Sequence, residues 1–182
     1  MSDRGLGAVL TGLARSAIAS RLALAATAPQ THARLAAPGA TFVTLTQQGR
    51  LRGCVGSLEA LRPLGVDVRE NAMVAAFHDP RFPPLVAAEF AATQIEVSLL
   101  SPSEPVRFDS EAHLLAQLEP GVDGLILEHE RQRATFLPQV WESLSEPEEF
   151  LSQLVRKAGL PAGWWDDDVR LSRYAATAYE ET

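Results

Sequence analysis

Residues 41–55 indicate a β-hairpin, which restricts the folds open to this chain. Thr41–Gln47 is rich in the β-branched and aromatic residues that are typical of strands. Gln48-Gly49 supplies a two-residue turn, and Leu51–Val55 returns as a second strand. Because a hairpin pairs its strands antiparallel, this segment favours an α+β fold over a doubly wound parallel one.

The rest of the chain alternates between helical and strand patterns without a strict βαβ rhythm. Apolar residues at helical spacing predict helical segments at 3–26, 66–77, 86–90, 109–118 and 145–158. Alternating apolar residues predict further strands at 93–100, 125–129, 133–137 and 169–178. We therefore expect a mixed, largely antiparallel sheet with flanking helices.

Several residues mark where these helices begin and end. Asp3 is the expected N-cap of the first helix, and Pro29 ends it. Ser145 and Glu148 have the spacing of a capping box, and Gly159 is placed to end the helix that follows.

Length, charge and cysteine content narrow the class of protein. The 182 residues fit one domain, 1–182, with the best boundary between a large and a small lobe near 102–105. The net charge of −7 and the scattered basic residues argue against binding to nucleic acid or to an anionic membrane. One cysteine and four histidines are too few for a structural zinc cluster, so no metal site is expected. A single thiol suits a reducing compartment, which predicts a cytoplasmic protein.

The segment LRGCVG, at Leu51–Gly56, is the best candidate for a functional site. Gly53 and Gly56 flank the only cysteine, Cys54. Because glycine weakens a strand, these two residues indicate a bulge, or the close approach of a backbone or a ligand.

Strand alternation suggests what this cysteine does. It places Arg52 and Cys54 on one face, and Leu51 and Val55 on the other, which faces the core. A guanidinium stabilises a neighbouring thiolate, so Cys54 is predicted as a nucleophile with Arg52 as an anion-binding group. The alternative is that Cys54 is a small buried side chain in a tight hairpin.

The segment Asp79–Pro84, DPRFPP, is predicted to be a rigid loop because its prolines exclude regular structure. It carries Asp79 and Arg81, and His78 directly precedes it. A rigid loop holds polar groups at a site, so His78 is predicted as the base for Cys54, with Asp79 and Arg81 as ligand-binding groups. In the alternative interpretation, the loop is a structural staple in which Arg81 pairs with Asp79 or an adjacent carboxylate and Phe82 fills the core.

The strand at 93–100 has a polar face that carries Glu96 and Ser98. If this strand lies beside the LRGCVG segment, Glu96 meets Arg52 across the sheet as a half-buried charge pair. Such pairs occur at functional sites and in ordinary structure, and an ordinary polar sheet face is the alternative.

Four motifs in this order resemble the AMMECR domain family, also called AmmeMemoRadiSam system protein A. They are LRGCVG at Leu51–Gly56, DPRFPPL at Asp79–Leu85, EVSLLS at Glu96–Ser101 and FLPQV at Phe136–Val140. Together with KAGL at Lys157–Leu160, they extend the resemblance over nearly the whole chain. Val55 departs from the isoleucine that is common in the family, which is a conservative change.

The resemblance implies a compact α+β fold with a large and a small lobe, and a site near the LRGCVG segment. It also implies association, in prokaryotes, with a Memo-like protein and a radical SAM protein. It supplies neither a reaction nor a cofactor, so the cofactor stays unknown.

Two functional hypotheses follow. The first is an enzyme, or an enzyme subunit, that acts on a small anionic metabolite or a modified protein. Its catalytic residues would be Cys54 and His78, and its substrate-binding residues would be Arg52, Gly53, Gly56, Asp79, Arg81, Glu96 and Ser98. The second is a non-catalytic module that binds a ligand or a protein, in which the LRGCVG hairpin is structural.

Overall fold

The computed structural model describes residues 5–28 and 30–181, so Asp3 and Pro29 lie outside the described residues. The chain forms two compact units. The first contains the described residues up to Leu100 together with those from Thr177 onward, and the second is Ser101–Ala176. Each unit has its own antiparallel sheet and its own hydrophobic core, which confirms the α+β class with two sheets.

The unit boundary lies between Leu100 and Ser101. The segment predicted as the lobe boundary, 102–105, already contains a short strand of the second unit. That the two units together act as a single domain stays a prediction.

The first unit combines a four-stranded sheet with two long helices. Its helices are α1 (Leu6–Arg21), α2 (Leu64–Phe77) and the short α3 (Ala87–Phe90), and a 3-10 turn covers Ala33–Ala36. Its strands are β1 (Thr41–Gln47), β2 (Arg50–Gly56), β3 (Thr93–Leu100) and β8 (Ala176–Glu180). The strand order is β2-β1-β3-β8, so β2 is an edge strand.

Helices α1 and α2 pack on one face of this sheet, which we call the near face. Its core includes Leu10 and Val68 from the helices, with Val43 and Val97 from the strands. The opposite face, which carries Thr44, is called the far face. Strand alternation separates the two faces, as the sequence predicts for β3.

The hairpin closes as the sequence predicts. Gln48 and Gly49 connect β1 to β2 with φ values of 51° and 73°, both in the left-handed region. Two successive positive φ values are typical of the type I′ turn, whose twist matches that of the flanking strands.

Helix α1 ends at Arg21, so the predicted extension to Ala26 is wrong. Ala23 has a φ of 55°, and the N–H of Leu24 donates to the C=O of Ala19 at 2.9 Å. This is the hydrogen-bond pattern of a left-handed helix C-cap. The backbone reverses there without a glycine, which is why the sequence gives little warning of it.

The second unit combines four strands with two helices. Its strands are β4 (Glu104–Pro105), β5 (Gly124–His129), β6 (Gln132–Phe136) and β7 (Arg170–Tyr174), in the order β4-β7-β5-β6. Its helices are α4 (Glu111–Gln117) and α5 (Pro147–Lys157), with a 3-10 turn at Pro138–Glu142. The core contains Leu125, Leu127, Phe150 and Leu154, all nearly inaccessible to solvent.

Two predictions for this region are wrong. The N-cap of α5 is Glu146, not Ser145, because Pro147 with its fixed φ occupies the first turn. The strand predicted at 169–178 is two strands in different sheets. They separate at Ala175, whose N–H and C=O both bond to Ser101, at 2.9 and 2.8 Å.

Candidate functional site

A β-bulge interrupts the LRGCVG strand at Arg52. Leu45 of β1 pairs with Gly53, but the next residue, Thr46, pairs with Leu51. Arg52 therefore has no residue opposite it on β1. A bulge shifts the alternation of side chains between the two faces of a sheet.

The bulge separates Arg52 from Cys54, so the prediction that they share a face is wrong. Arg52 is largely buried and binds Glu89 of α3 through two bonds, Nε–Oε1 and Nη2–Oε2, each 3.0 Å. Glu89 belongs to the near face, because its C=O accepts from the hydroxyl of Thr93 at 2.9 Å. Cys54 lies on the far face, where its Sγ is 3.4 Å from Thr44 Oγ1.

Glu89 is the acidic partner that the sequence missed. The hydrogen bonds from Arg52 lower the pKa of Glu89, against the opposing effect of burial. Glu89 also accepts from the N–H of Val86 at 3.1 Å. Arg52 thus fastens α3 to the sheet, and its Nε and Nη2 are not available for an anionic ligand.

Glu96 does not meet Arg52, because β1 lies between β2 and β3. Thr44 pairs with Cys54 on one side and with Glu96 on the other. Cys54, Thr44 and Glu96 therefore form one row across the far face. Ser98, almost fully buried, donates from Oγ to Glu96 Oε1 at 3.2 Å.

Asp79 and Arg81 close the free edge of β2 at Cys54. Asp79 Oδ2 accepts the N–H of Cys54 at 3.0 Å, and Arg81 Nη2 donates to its C=O at 3.1 Å. Arg81 also binds both carboxylate oxygens, Nε–Oδ1 at 3.0 Å and Nη2–Oδ2 at 2.7 Å. The two side chains together satisfy the donor and the acceptor that a neighbouring strand would otherwise satisfy. We call this arrangement the edge clamp.

The interactions within the edge clamp favour the charged forms of both Asp79 and Arg81. Hydrogen bonds from Arg81, together with the N–H of Cys54, hold the pKa of Asp79 well below its usual range although burial opposes this. Asp79 in turn raises the pKa of Arg81. The pairing of Arg81 with Asp79 matches the structural alternative given above, and it also brings a guanidinium to Cys54.

The guanidinium of Arg81 is half exposed, with 53% of the side chain accessible. Its Nε and Nη2 are bound by the edge clamp. Within residues 5–28 and 30–181, no group accepts a hydrogen bond from its Nη1. Arg81, not Arg52, is thus the cationic group beside Cys54.

His78 lies at the end of α2 with an exposed side chain. Its backbone N–H donates to the C=O of Val74 at 2.8 Å. Across the described part of the chain, no hydrogen bond joins its imidazole to Cys54, whose sulfur contacts Thr44. The structure does not connect the predicted base to the predicted nucleophile.

Close packing explains why both positions in LRGCVG are glycine. A Cβ on Gly53 would overlap the backbone oxygen of Ala75 in α2. A Cβ on Gly56 would overlap the ring of Phe42 and the C=O of Thr41. The close approach that the sequence indicates is therefore an approach of backbone and ring, and a ligand-binding role for these glycines stays a prediction.

We expect Gly53→Ala to lower the free energy of unfolding by about 1–3 kcal/mol, because α2 must shift to admit the methyl group. Urea denaturation measures this. Gly12→Ala is the matched control, since space is open around Gly12 in α1 and alanine is the better helix former. The control should be stabilised. Identical urea midpoints for Gly53→Ala and the unsubstituted protein would contradict the packing account.

Two searches of the described residues are negative. No helix among them is both long enough and apolar enough to cross a membrane. Nor does any set of three or more His, Cys, Asp or Glu side chains in this part of the chain converge on a common point.

Comparison with known proteins places the chain in a family. The AMMECR1 family model matches residues 11–179. A protein of Methanothermobacter thermautotrophicus is 41% identical over 146 residues, which cover 77% of this chain and 74% of the relative. A Thermotoga maritima protein is 40% identical over 141 residues, or 76% of each chain. The crystal structure of the uncharacterised protein PH0010 from Pyrococcus horikoshii matches with a TM-score of 0.87 at 34% identity, over 96% of this chain and 91% of that one. The chain therefore belongs to the AMMECR1 family.

Proposed function

We propose that this chain is an enzyme, or an enzyme subunit, that binds a small anionic group at Arg81 beside Cys54. The anionic group belongs to a metabolite or to a modified protein. The observation that carries the proposal is the state of the Arg81 guanidinium. One edge is fixed by Asp79 and by the backbone of Cys54, while Nη1 has no partner among the described residues.

A guanidinium held in this way is a preorganised donor. Its remaining N–H groups keep a fixed direction, so an anion gains hydrogen bonds without the entropy loss of ordering a free arginine. Arg81 takes the role that strand alternation assigned to Arg52. The proposal does not require His78.

Cys54 is the reactive group of this proposal. The residue is half-buried, its Sγ lies on the far face, and Arg81 Nη2 donates to its backbone C=O at 3.1 Å. An anion bound by Arg81 would therefore be held beside the sulfur.

Paired alkylating reagents test the proposal directly. Iodoacetate carries the charge that Arg81 is proposed to bind, whereas iodoacetamide has the same reactive carbon without the charge. We expect Arg81→Gln to lower the ratio of the iodoacetate rate to the iodoacetamide rate at Cys54 by about 10-fold, the equivalent of one charged hydrogen bond of about 1.4 kcal/mol.

The controls separate an electrostatic role from a structural one. Arg131→Gln, at an exposed arginine of the second unit, should leave the ratio unchanged. If Arg81→Gln changes both rates by the same factor, Arg81 is only structural. An unreactive Cys54 in the folded protein would exclude the nucleophile.

A non-catalytic binding module is the second candidate. Two observations favour it: packing alone explains Gly53 and Gly56, and both carboxylate oxygens of Asp79 already accept hydrogen bonds within the protein. Native mass spectrometry of freshly purified protein separates the candidates. A carried ligand that Cys54→Ser still retains, with no turnover of cell-extract metabolites by the unsubstituted protein, would favour the module.

Partners and location remain proposals. The ordered family motifs support association with a Memo-like protein and a radical SAM protein, and the single thiol supports a cytoplasmic location. Co-purification of the three proteins after joint expression tests the association. Recovery of this chain without either partner would argue against it.

A further inference from the structure

A small polar pocket lies on the far face of the first unit, beside the row that contains Cys54. Its volume is about 190 Å³. Two hydroxyls, an amide and two carboxylates line it: Thr44, Thr46, Gln94, Glu96 and Glu180. Thr44 links the pocket to the thiol, because the same residue contacts Cys54 Sγ at 3.4 Å.

The charges around the pocket are negative. Glu180 is on the far face because its neighbour Tyr179 packs against the near-face core. Glu181 also borders the pocket, but its carboxylate is bound by Arg15 and by the N–H of Ile95. None of the described residues that line the pocket is a lysine, an arginine or a histidine.

We propose that this pocket receives the ammonium group of a ligand whose anionic group binds Arg81. This inference rests on the proposed function and gives it a substrate class. Carboxylates, hydroxyls and an amide oxygen are all acceptors, and an ammonium group has three N–H donors and no acceptor. About six water molecules, at roughly 30 Å³ each, would fill the pocket, so an ammonium group fits in it together with ordered water.

The strand spacing sets the length of the ligand. Cys54, Thr44 and Glu96 lie on adjacent strands, which run about 4.8 Å apart. Glu96 is therefore about 10 Å from Cys54, and Arg81 binds the Cys54 backbone on the outer side of the edge strand, so its anion lies farther from Glu96 than Cys54 does. The ligand class is a linear zwitterion with its ammonium and its carboxylate or phosphate at least about 10 Å apart, and triglycine is the shortest glycine oligomer of that length.

Glycine oligomers serve as rulers for this site. Extended peptides span at most about 3.3–3.6 Å per residue, so triglycine places its charged ends about 10 Å apart. In NMR titrations of the full chain, we expect triglycine to bind about 10-fold more tightly than glycine. N-acetyl-triglycine, which lacks the ammonium, and triglycine amide, which lacks the carboxylate, should each bind about 10-fold more weakly than triglycine.

Two variants test which protein group binds each end of triglycine. Glu180→Gln changes an exposed side chain, and we expect it to lower the affinity for triglycine about 3- to 10-fold while leaving the affinity for N-acetyl-triglycine unchanged. Glu142→Gln, at an exposed carboxylate of the second unit, should change neither affinity. Arg81→Gln should lower the affinities for triglycine and N-acetyl-triglycine by the same factor.

The outcomes distinguish this inference from the proposed function. If triglycine and N-acetyl-triglycine bind equally, or if no oligomer binds while Arg81 still selects iodoacetate, the ammonium pocket is overturned and the anion site stands. If Arg81 does not select iodoacetate, the proposed function fails. Ammonium-dependent binding that Glu180→Gln leaves unchanged would also overturn the assignment to this pocket.

Discussion

Replacing Asp67 with alanine is expected to lower the free energy of unfolding by about 3–5 kcal/mol, because it removes the centre of a buried polar network. Asp67 has no exposed surface. Its Oδ2 accepts from the N–H of Thr41 at 2.8 Å, from Thr41 Oγ1 at 2.7 Å and from Asn71 Nδ2 at 2.9 Å. Its Oδ1 accepts from Arg62 Nε at 2.8 Å. Alanine would leave buried donors of Thr41 and Asn71 without this acceptor.

Urea denaturation followed by far-UV circular dichroism measures this loss. All three tryptophans, Trp141, Trp164 and Trp165, belong to the second unit, so their fluorescence follows that unit separately. Glu70→Ala is the control, because Glu70 also bonds to Arg62 but is 55% exposed. It should cost less than about 1 kcal/mol. A similarly small loss for Asp67→Ala would show that the network does not anchor β1.

Asp67 and Asp79 hold the two strands of the hairpin from opposite ends of α2. Asp67, in the first turn of α2, binds the start of β1 at Thr41. Asp79, two residues after α2 ends, binds β2 at Cys54. The 14-residue helix is about 21 Å long, and it links the two carboxylates as a rigid spacer. The position of Cys54 therefore depends on both anchors.

The sequence predicts the hairpin well because its signals are local. Thr41–Gln47 has strand composition, and Gln48-Gly49 can adopt the two positive φ values of the turn. The loop at 79–84 is equally local, since proline restricts the backbone of its own and the preceding residue. In the structure, Asp79 and Arg81 of this loop bind the backbone of Cys54 in the hairpin.

Gly53 and Gly56 indicate a bulge as one of two alternatives, but they do not place it at Arg52. Strand alternation assumes a one-to-one register, and the register depends on how Leu45 and Thr46 of β1 meet Gly53 and Leu51. The choice of Arg81 over Arg52 as the cation beside Cys54 follows from that register. No local pattern in the sequence carries this information.

Strand order limited the other prediction about the site. The predicted pairing of Glu96 with Arg52 requires β3 to lie beside β2, and the order β2-β1-β3 excludes this. Glu89, the actual partner, lies in a four-residue helix whose place beside the sheet is set by tertiary packing. Long-range pairings of this kind depend on packing against neighbours more than on residue type.

Replacing Asp79 with asparagine is expected to lower the free energy of unfolding by about 2–3 kcal/mol at pH 7, and this difference should shrink in acid. At neutral pH the loss arises because the amide turns an N–H₂ group toward donors of Arg81 or Cys54. Arg81 holds the pKa of Asp79 below the unfolded value of about 3.9. The carboxylate therefore contributes its full stabilisation above the unfolded pKa, and loses it as the pH falls toward the folded pKa.

Urea denaturation at pH 7, 5, 4 and 3 checks the sign of this effect. The gap between the two proteins should stay constant down to about pH 5 and narrow below about pH 4. Asp168→Asn, an exposed aspartate of the second unit, should leave the unfolding curve near that of the unsubstituted protein throughout. A gap that widens in acid would mean that Asp79 is not the ionised member of the edge clamp.

The same variant links stability to the proposed anion site. Asp79→Asn keeps every N–H of Arg81 but weakens the pair that orients them, whereas Arg81→Gln removes the cation itself. If preorganisation matters, Asp79→Asn should lower the iodoacetate preference of Cys54 by less than Arg81→Gln, about 3-fold against about 10-fold. An unchanged preference in Asp79→Asn would mean that the charge of Arg81 is sufficient and that the edge clamp serves only to cover the free edge of β2.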